Sequence, residues 1–291
     1  NGLKFFTNIF GLEGSDVKDI LHIAYSAEPG SKEGSVINYD FMTVYCEHLK
    51  NRIIDEAADG EKPLENLKIS VDAGNGVGGF YAEKVLKPLG ADISASQFLE
   101  PNGMFPNHIP NPENKEAMEA IRQAVLTNKA DLGIIFDTDV DRMSAVLPNG
   151  DEVNRDAIIA MMAAIIAEDY PDGTIVTDSV TSDRLSRFIE GIGMKHHRYM
   201  RGYKNVINES IRLNQEGVVS PLAIETSGHG ALSENYFLDD GAYMAVKLLI
   251  ALAKAAKENK ALASFIEKFE KGFEEREYRF KIQGDDFKVY G

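Results

Sequence analysis

The sequence predicts an α/β protein made of consecutive strand-and-helix units, and three observations support this. Short apolar runs alternate with amphipathic stretches of helical period, glycine and proline punctuate the chain between them, and the polar motifs sit where the apolar runs stop. At 291 residues the chain is too long for one small core and suits two or three such units. The order of strand, loop and helix favours parallel strands with crossover helices over an antiparallel sandwich.

Residues 1–60 offer few strands: Leu3 to Ile9 is the one candidate, followed by helices over Val17 to Tyr25 and Tyr39 to Ala58. The loop Ser26 to Ser35, with Pro29, Gly30 and Gly34, separates the two helices. A second unit starts near Pro63. Leu67 to Val71 reads as a strand, and Asp72-Ala73-Gly74-Asn75-Gly76-Val77-Gly78-Gly79 opens into the periodic run Tyr81, Val85, Leu89. Those glycines are read as permitting a tight turn and close contact between segments, with direct anion binding as the alternative. The segment from Asn102 to Glu113 carries three prolines and is a restrained loop, with His108 as a structural hydrogen-bonding group. A helix over Glu113 to Thr127, a strand over Leu132 to Phe136 and a helix over Arg155 to Glu168 complete the unit, which Pro171-Asp172-Gly173 closes.

The third unit repeats the pattern. Strands are expected at Ile175 to Thr177, Lys195 to Tyr199 and Leu222 to Ile224, and helices at Ser182 to Ile189, through Ile211, at Gly241 to Lys257 and at Leu262 to Phe269. Asp239 and Asp240 are expected to cap the helix that starts at Gly241. A last strand, Tyr278 to Ile282, would lead onward.

Composition narrows the function. A formal net charge of −15 argues against nucleic acid and acidic membrane as partners, but allows a small phosphorylated ligand in a locally cationic cleft. With one cysteine, Cys46, neither an internal disulfide nor a cysteine-ligated zinc site can form. No apolar stretch is long enough to span a bilayer, and a cytoplasmic protein is the expectation.

The central motif is Asp137-Thr138-Asp139-Val140-Asp141-Arg142, just past an apolar strand. Three carboxylates at alternate positions raise one another's pKa or recruit a cation, and Mg²⁺ is the hard ion such oxygens suit. Capping of backbone N–H groups is the plainer alternative. Arg142 adds a planar donor fork for phosphate or carboxylate. A second motif, Glu225-Thr226-Ser227-Gly228-His229, offers an acceptor, a hydroxyl and an imidazole, a mixture suited to sugar hydroxyls. A third, Arg201-Gly202-Tyr203-Lys204, is a compact cationic loop that reads as a phosphate dock or a solvated turn. His196 and His197, adjacent on a strand, point to opposite faces and make a poor chelating pair.

Taken together, the Asp137 and Glu225 motifs, the proline loop and the glycine turn resemble the α-D-phosphohexomutases, the family of phosphomannomutases and phosphoglucomutases. Thr138 and Val140 stand where that family usually has glycine or another small residue. The resemblance implies mixed-sheet α/β domains: the end of a first domain over 1–60, a metal-binding domain over 61–170, a sugar-binding domain over 171–275, and a linker over 276–291 towards a fourth. It implies that Asp137, Asp139 and Asp141 ligate Mg²⁺ and that Arg142 stands beside a phosphoserine. Glu225 and Ser227 would bind sugar hydroxyls, His229 would assist binding or proton transfer, and Arg201, Tyr203 and Lys204 would line the phosphate or sugar side. Lys4 matches the region of a general acid/base lysine. A serine loop and a C-terminal phosphate-binding loop are not recognisable, so this chain alone is expected to be inactive as a mutase. The intact protein would move phosphate between C1 and C6 of a hexose phosphate, as a monomer or weak dimer. Glu and Ser in these positions would grip either glucose or mannose. Two rival readings are a haloacid-dehalogenase-like phosphatase using Asp137 and Asp139, and a non-catalytic sugar-phosphate-binding module.

Overall fold

The computed structural model describes residues 5, 7, 12, 14–28, 30, 34–58, 60–270 and 272. Lys4 and the expected strand Tyr278 to Ile282 lie outside the described residues, as does most of the expected strand Leu3 to Ile9.

Among the described residues two four-stranded sheets form the framework. The first runs β1 (Ile69–Asp72), β2 (Leu132–Phe136), β3 (Met143–Val146), β4 (Glu152–Val153) in that spatial order. β1 and β2 are parallel, with Val71 opposite Ile134, whereas β3 pairs antiparallel to both β2 and β4. The second sheet has the order β6 (Lys195–Tyr199), β5 (Thr174–Asp178), β7 (Leu222–Ile224), β8 (Gly230–Leu232). Its first three strands are parallel and β8 turns back along β7. The parallel rhythm therefore covers the strands expected from the sequence. The sheets become mixed through β3, β4 and β8, which the sequence reading missed because they are short and directly follow polar loops.

The helices begin where local chemistry starts them. Asp40, Asn114 and Ser182 each accept a backbone N–H in the first turn of α2 (Phe41–Ala57), α3 (Lys115–Asn128) and α5 (Asp183–Gly191). Within α2, Cys46, Leu49, Ile53 and Ala57 recur at helical spacing and are all buried. They join one core with Leu64, Tyr81 and Leu86 of the first sheet's layer, so the second predicted helix packs on the unit that follows it. Ahead of it, α1 (Gly14–Ser26) buries no residue. The run after Gly79 is a single wide turn of π-helix, Tyr81–Leu86, rather than an α-helix, and Tyr81, Ala82, Val85 and Leu86 are buried in it.

Two helices link the layers. α4 (Asp156–Ile166) and α7 (Gly241–Lys257) are apolar nearly all round, the pattern of a helix covered on several sides. α7 packs against α2, α4, β3 and β8, so residues of both sheets share one apolar cluster with it. α6 (Tyr203–Gln215) covers the opposite face of the second sheet, where Val206 and Leu213 meet Val176 and Ala223. Beyond α7 the expected α-helix is a 3-10 turn, Leu262–Ile266, with no side-chain cap at its start. Phe269 lies past its end, edge-on to Phe188 at 5.5 Å, with the Arg184 guanidinium over its ring.

Candidate functional site

The three acidic and glycine-rich loops leave the C-terminal ends of β1, β2 and β7, the edge at which open α/β sheets place ligands. Gly74, Gly76 and Gly79 do have the G-x-G-x-x-G spacing of a dinucleotide turn. Their surroundings assign them another job. A Cβ on Gly74 would lie 2.8 Å from Pro110 Cβ, one on Gly76 would lie 2.7 Å from the Thr138 carbonyl oxygen, and one on Gly79 would overlap the Leu99 carbonyl. The glycines let the proline loop and the Asp loop seat directly on the turn. His108 fastens that seat as expected, with Nε2 3.1 Å from each carboxylate oxygen of Asp72 at the end of β1.

β2 is buried at every position and delivers Asp137, 1% exposed, to the floor of the site. Asp137, Asp139 and Asp141 can each place one carboxylate oxygen within 4.8 Å of the others. Burial, with the charge of Asp141 beside it, raises the Asp137 carboxyl to about 6 against the pull of Arg142. The Arg142 backbone N–H donates to Asp137 at 3.2 Å, its Nε donates to the same carboxylate at 3.0 Å, and Nη1 donates to Asn111 in the proline loop at 3.2 Å. Between them Val140, buried, adopts φ +71, a region unfavourable for a β-branched residue. Strain of this kind persists where the surrounding structure overdetermines it.

The Glu225 motif is the tight connection of a hairpin. Glu225 N–H donates to the His229 carbonyl at 2.9 Å, Gly228 N–H donates back to the Glu225 carbonyl at 3.1 Å, and Gly228 takes φ +96. The Glu225 carboxylate accepts from the Gly202 N–H at 2.6 Å, which ties the hairpin to the cationic loop. Burial raises the Glu225 carboxyl, Asp178 adds to the rise, and the Gly202 bond opposes it. Ser227 Oγ is buried and has no hydrogen-bond partner among the described residues. His229 stacks on Tyr203, with ring centroids 5.0 Å apart, and its Nδ1 lies 2.9 Å from Asp239 and 3.8 Å from Asp141.

The Asp and Glu225 loops touch. Arg142 and His229 form an antiparallel bridge, and Met143 N–H donates to the Gly228 carbonyl at 3.2 Å. A Cβ on Gly228 would sit 2.6 Å from the Met143 oxygen, and one on Gly241 would sit 2.8 Å from the Arg142 carbonyl carbon. These two glycines let the hairpin and the start of α7 close on the Asp loop.

The cationic loop is less concentrated than its sequence suggests. Arg201 lies 3.9 Å from buried Asp178, and Tyr203 faces His229. Lys204 instead donates to the Leu12 carbonyl of the N-terminal segment. His196 and His197 do diverge, the first bonding Thr177 and Ser186 and the second Glu209. The sequence reading missed two carboxylates. Asp178 ends β5 and accepts from the Thr226 backbone N–H and hydroxyl. Of the acidic pair expected to cap α7, only Asp240 does so, through the Tyr243 N–H at 3.0 Å, while Asp239 turns back to His229.

Tandem mixed-sheet α/β domains whose oxygen-rich loops touch define the class of protein. The first domain is the phosphoglucomutase/phosphomannomutase alpha/beta/alpha domain II, matched over residues 43–150, and the second is domain III of the same family, matched over 154–271. The chain belongs to this family. It is 28% identical over 265 residues to a phosphoglucomutase of Neisseria gonorrhoeae, covering 90% of this chain and 55% of that protein. It is 31% identical over 225 residues to a phosphomannomutase/phosphoglucomutase of Pseudomonas syringae, covering 77% of this chain and 45% of that protein. A crystal structure of a phosphoglucomutase/phosphomannomutase family protein from Burkholderia thailandensis superposes with a TM-score of 0.71 at 28% identity, over 87% of this chain and 52% of that one. The chain thus spans about half the length of the relatives it matches.

Proposed function

We propose that this chain supplies the metal-binding and sugar-binding walls of a phosphohexomutase site, which moves phosphate between the C1 and C6 oxygens of a hexose phosphate through a phosphoserine and a bisphosphorylated sugar. The observation that carries this reading is the contact between the Asp loop and the Glu225 hairpin. It brings a three-carboxylate cluster against the hairpin that carries the Ser227 hydroxyl, which is buried and has no hydrogen-bond partner among the described residues.

The donor set fits Mg²⁺, being made of carboxylate oxygens, with the pKa of one group raised by burial and by the charge of its neighbour. Asp137, Asp139 and Asp141 would hold the ion, and its chemistry there is charge stabilisation on phosphate oxygens. The remaining work belongs to side chains. Arg142, already fixed by Asp137 and Asn111, directs a cationic fork at the phosphate side. Glu225 and Ser227 accept from and donate to ring hydroxyls, and Glu225 also fixes the loop that carries Arg201. His229 sits between the two loops, where an imidazole can take the proton of an attacking hydroxyl and return it in the reverse step. Lys4 is proposed only on its place in the sequence.

Calorimetric titration tests this. The chain should bind Mg²⁺, and Asp139→Asn should weaken that binding at least tenfold. Glucose 1-phosphate or mannose 1-phosphate should bind in the presence of Mg²⁺. Because a hydrogen bond to a charged group contributes about 1.5–3 kcal/mol, Glu225→Gln should weaken the sugar phosphate about ten- to a hundredfold. Sugar-phosphate binding that is indifferent to Glu225 and Ser227 would remove the reading.

A further inference from the structure

We propose that Asp239 is a positioning residue for His229, fixing its imidazole in the tautomer that carries hydrogen on Nδ1 and leaving the Nε2 lone pair to meet a sugar hydroxyl. The consequence for the hydroxyl rests on the mutase reading, whereas the tautomer does not.

The geometry carries the assignment. His229 Nδ1 lies 2.9 Å from Asp239 Oδ2, and the Asp239 side chain is 9% exposed. An ionised carboxylate only accepts, so the hydrogen between the two atoms belongs to nitrogen. Asp141 lies 3.8 Å from the same nitrogen, so these two carboxylates face the Nδ1 edge of the ring. Nε2 is on the other edge. The ring plane is held as well, by the stacked Tyr203 at an interplanar angle of 24°.

Both partners are mounted on backbone that is bonded on each side. His229 accepts from Glu225 N–H through its carbonyl and bridges Arg142, while Asp239 forms an antiparallel bridge with Ala231 and the next residue, Asp240, donates its N–H to the Gly230 carbonyl at 3.1 Å. Asp240 also caps α7 and accepts the Tyr45 hydroxyl at 2.7 Å. Adjacent aspartates therefore divide two tasks, one anchoring the helix and the other orienting the imidazole. Orienters of this kind set which ring nitrogen carries the proton, and a wrong tautomer disables a base whose position is unchanged.

Long-range ¹H–¹⁵N correlation spectra of the ¹⁵N-labelled chain, free of divalent metal and at a pH where imidazoles are neutral, read the tautomer directly. His229 is assigned by the signals lost in His229→Gln. The unaltered chain should show a protonated Nδ1 and a lone-pair Nε2. In Asp239→Ala the Nδ1 signal should move towards the lone-pair position, and in Asp239→Asn, whose carboxamide can donate, it should move further. Asp240→Asn should lower stability and leave the His229 signals where they are. An Nε2–H tautomer of His229 in the unaltered chain overturns the proposal whatever the Asp239 variants show. So does an unshifted His229 in a folded Asp239→Ala chain, or loss of the Nδ1 hydrogen on adding Mg²⁺, which would make that nitrogen a ligand. Glucose 1-phosphate binding, measured on the same sample, tests the mutase reading separately, since the tautomer is readable whether or not sugar binds.

Discussion

Asp137 shows how a single residue can carry the tension of a site. Its carboxyl is buried beside Asp141 and is held by Arg142, so its negative charge is only partly compensated within the protein. A divalent cation would complete that compensation, which favours the ligand reading of these three residues over capping alone. His196 illustrates the opposite case, a buried imidazole kept neutral. It bonds Thr177 and Ser186, each at 2.7 Å, and burial with Arg198 nearby lowers it to about 4 from 6.5. The folded chain therefore takes up this proton later than the unfolded chain as pH falls. Stability from this residue should be complete above pH 6.5 and should decline between about 6.5 and 4. Since part of the ring meets water, the unaltered chain should lose about 1–2 kcal/mol more than His196→Gln on going from neutral to acidic buffer, as read by urea unfolding at each pH.

At the scale of elements, the site is made by the approach of a helix start and a hairpin to the Asp loop. Gly241 opens α7, and its N–H donates to the Val140 carbonyl at 3.0 Å. Because a Cβ there would press on the Arg142 backbone, Gly241→Ala should force α7 away from the loop and destabilise the chain by about 1–3 kcal/mol. Mg²⁺ affinity, measured on the folded fraction, should fall with it. If affinity holds while stability falls, the α7 start does not shape the carboxylate cluster. Most of these elements were legible in advance. The strand Lys195 to Tyr199, the strand Leu222 to Ile224 and the helix Gly241 to Lys257 lie where their patterns place them. The misses have local causes. β4 has two residues, too few for alternation to register, β8 starts on Gly230 directly after the polar Glu225 motif, and the run after Gly79 packs as a π turn whose spacing imitates an α-helix.

Across the whole molecule, the two sheets are joined by α7 and by a charged knot that no sequence window contains. Lys247, 3% exposed, lies 3.0 Å from Glu56 on α2 and 3.1 Å from Glu234, and Arg52 pairs with both acids. Burial acts to lower the Lys247 ammonium, but Glu234 and Glu56 outweigh it and the net shift is upward. Removing one member of a fully buried ionic set costs about 3–5 kcal/mol, and Arg52, which still pairs both acids, should hold the loss here to about 2–3 kcal/mol. Lys247→Ala should show that loss in its urea midpoint, and Lys247→Met, which restores volume but not charge, should recover less than half of it. Full recovery by Met would mean that packing, rather than charge, joins the layers here.

By itself the sequence determined the fold class, the order of the principal elements, and the three loops that form the candidate site, because apolar period, capping residues and clustered carboxylates act over a few neighbouring positions. Only the tertiary structure decided what those loops do to one another. That Asp239 faces His229 while Asp240 caps the helix, that Lys204 turns to Leu12, and that Asp178 holds the Glu225 hairpin are matters of distance between groups far apart in the chain or of direction at adjacent ones. Both are settled by packing of the two sheets around α7, which no local pattern encodes.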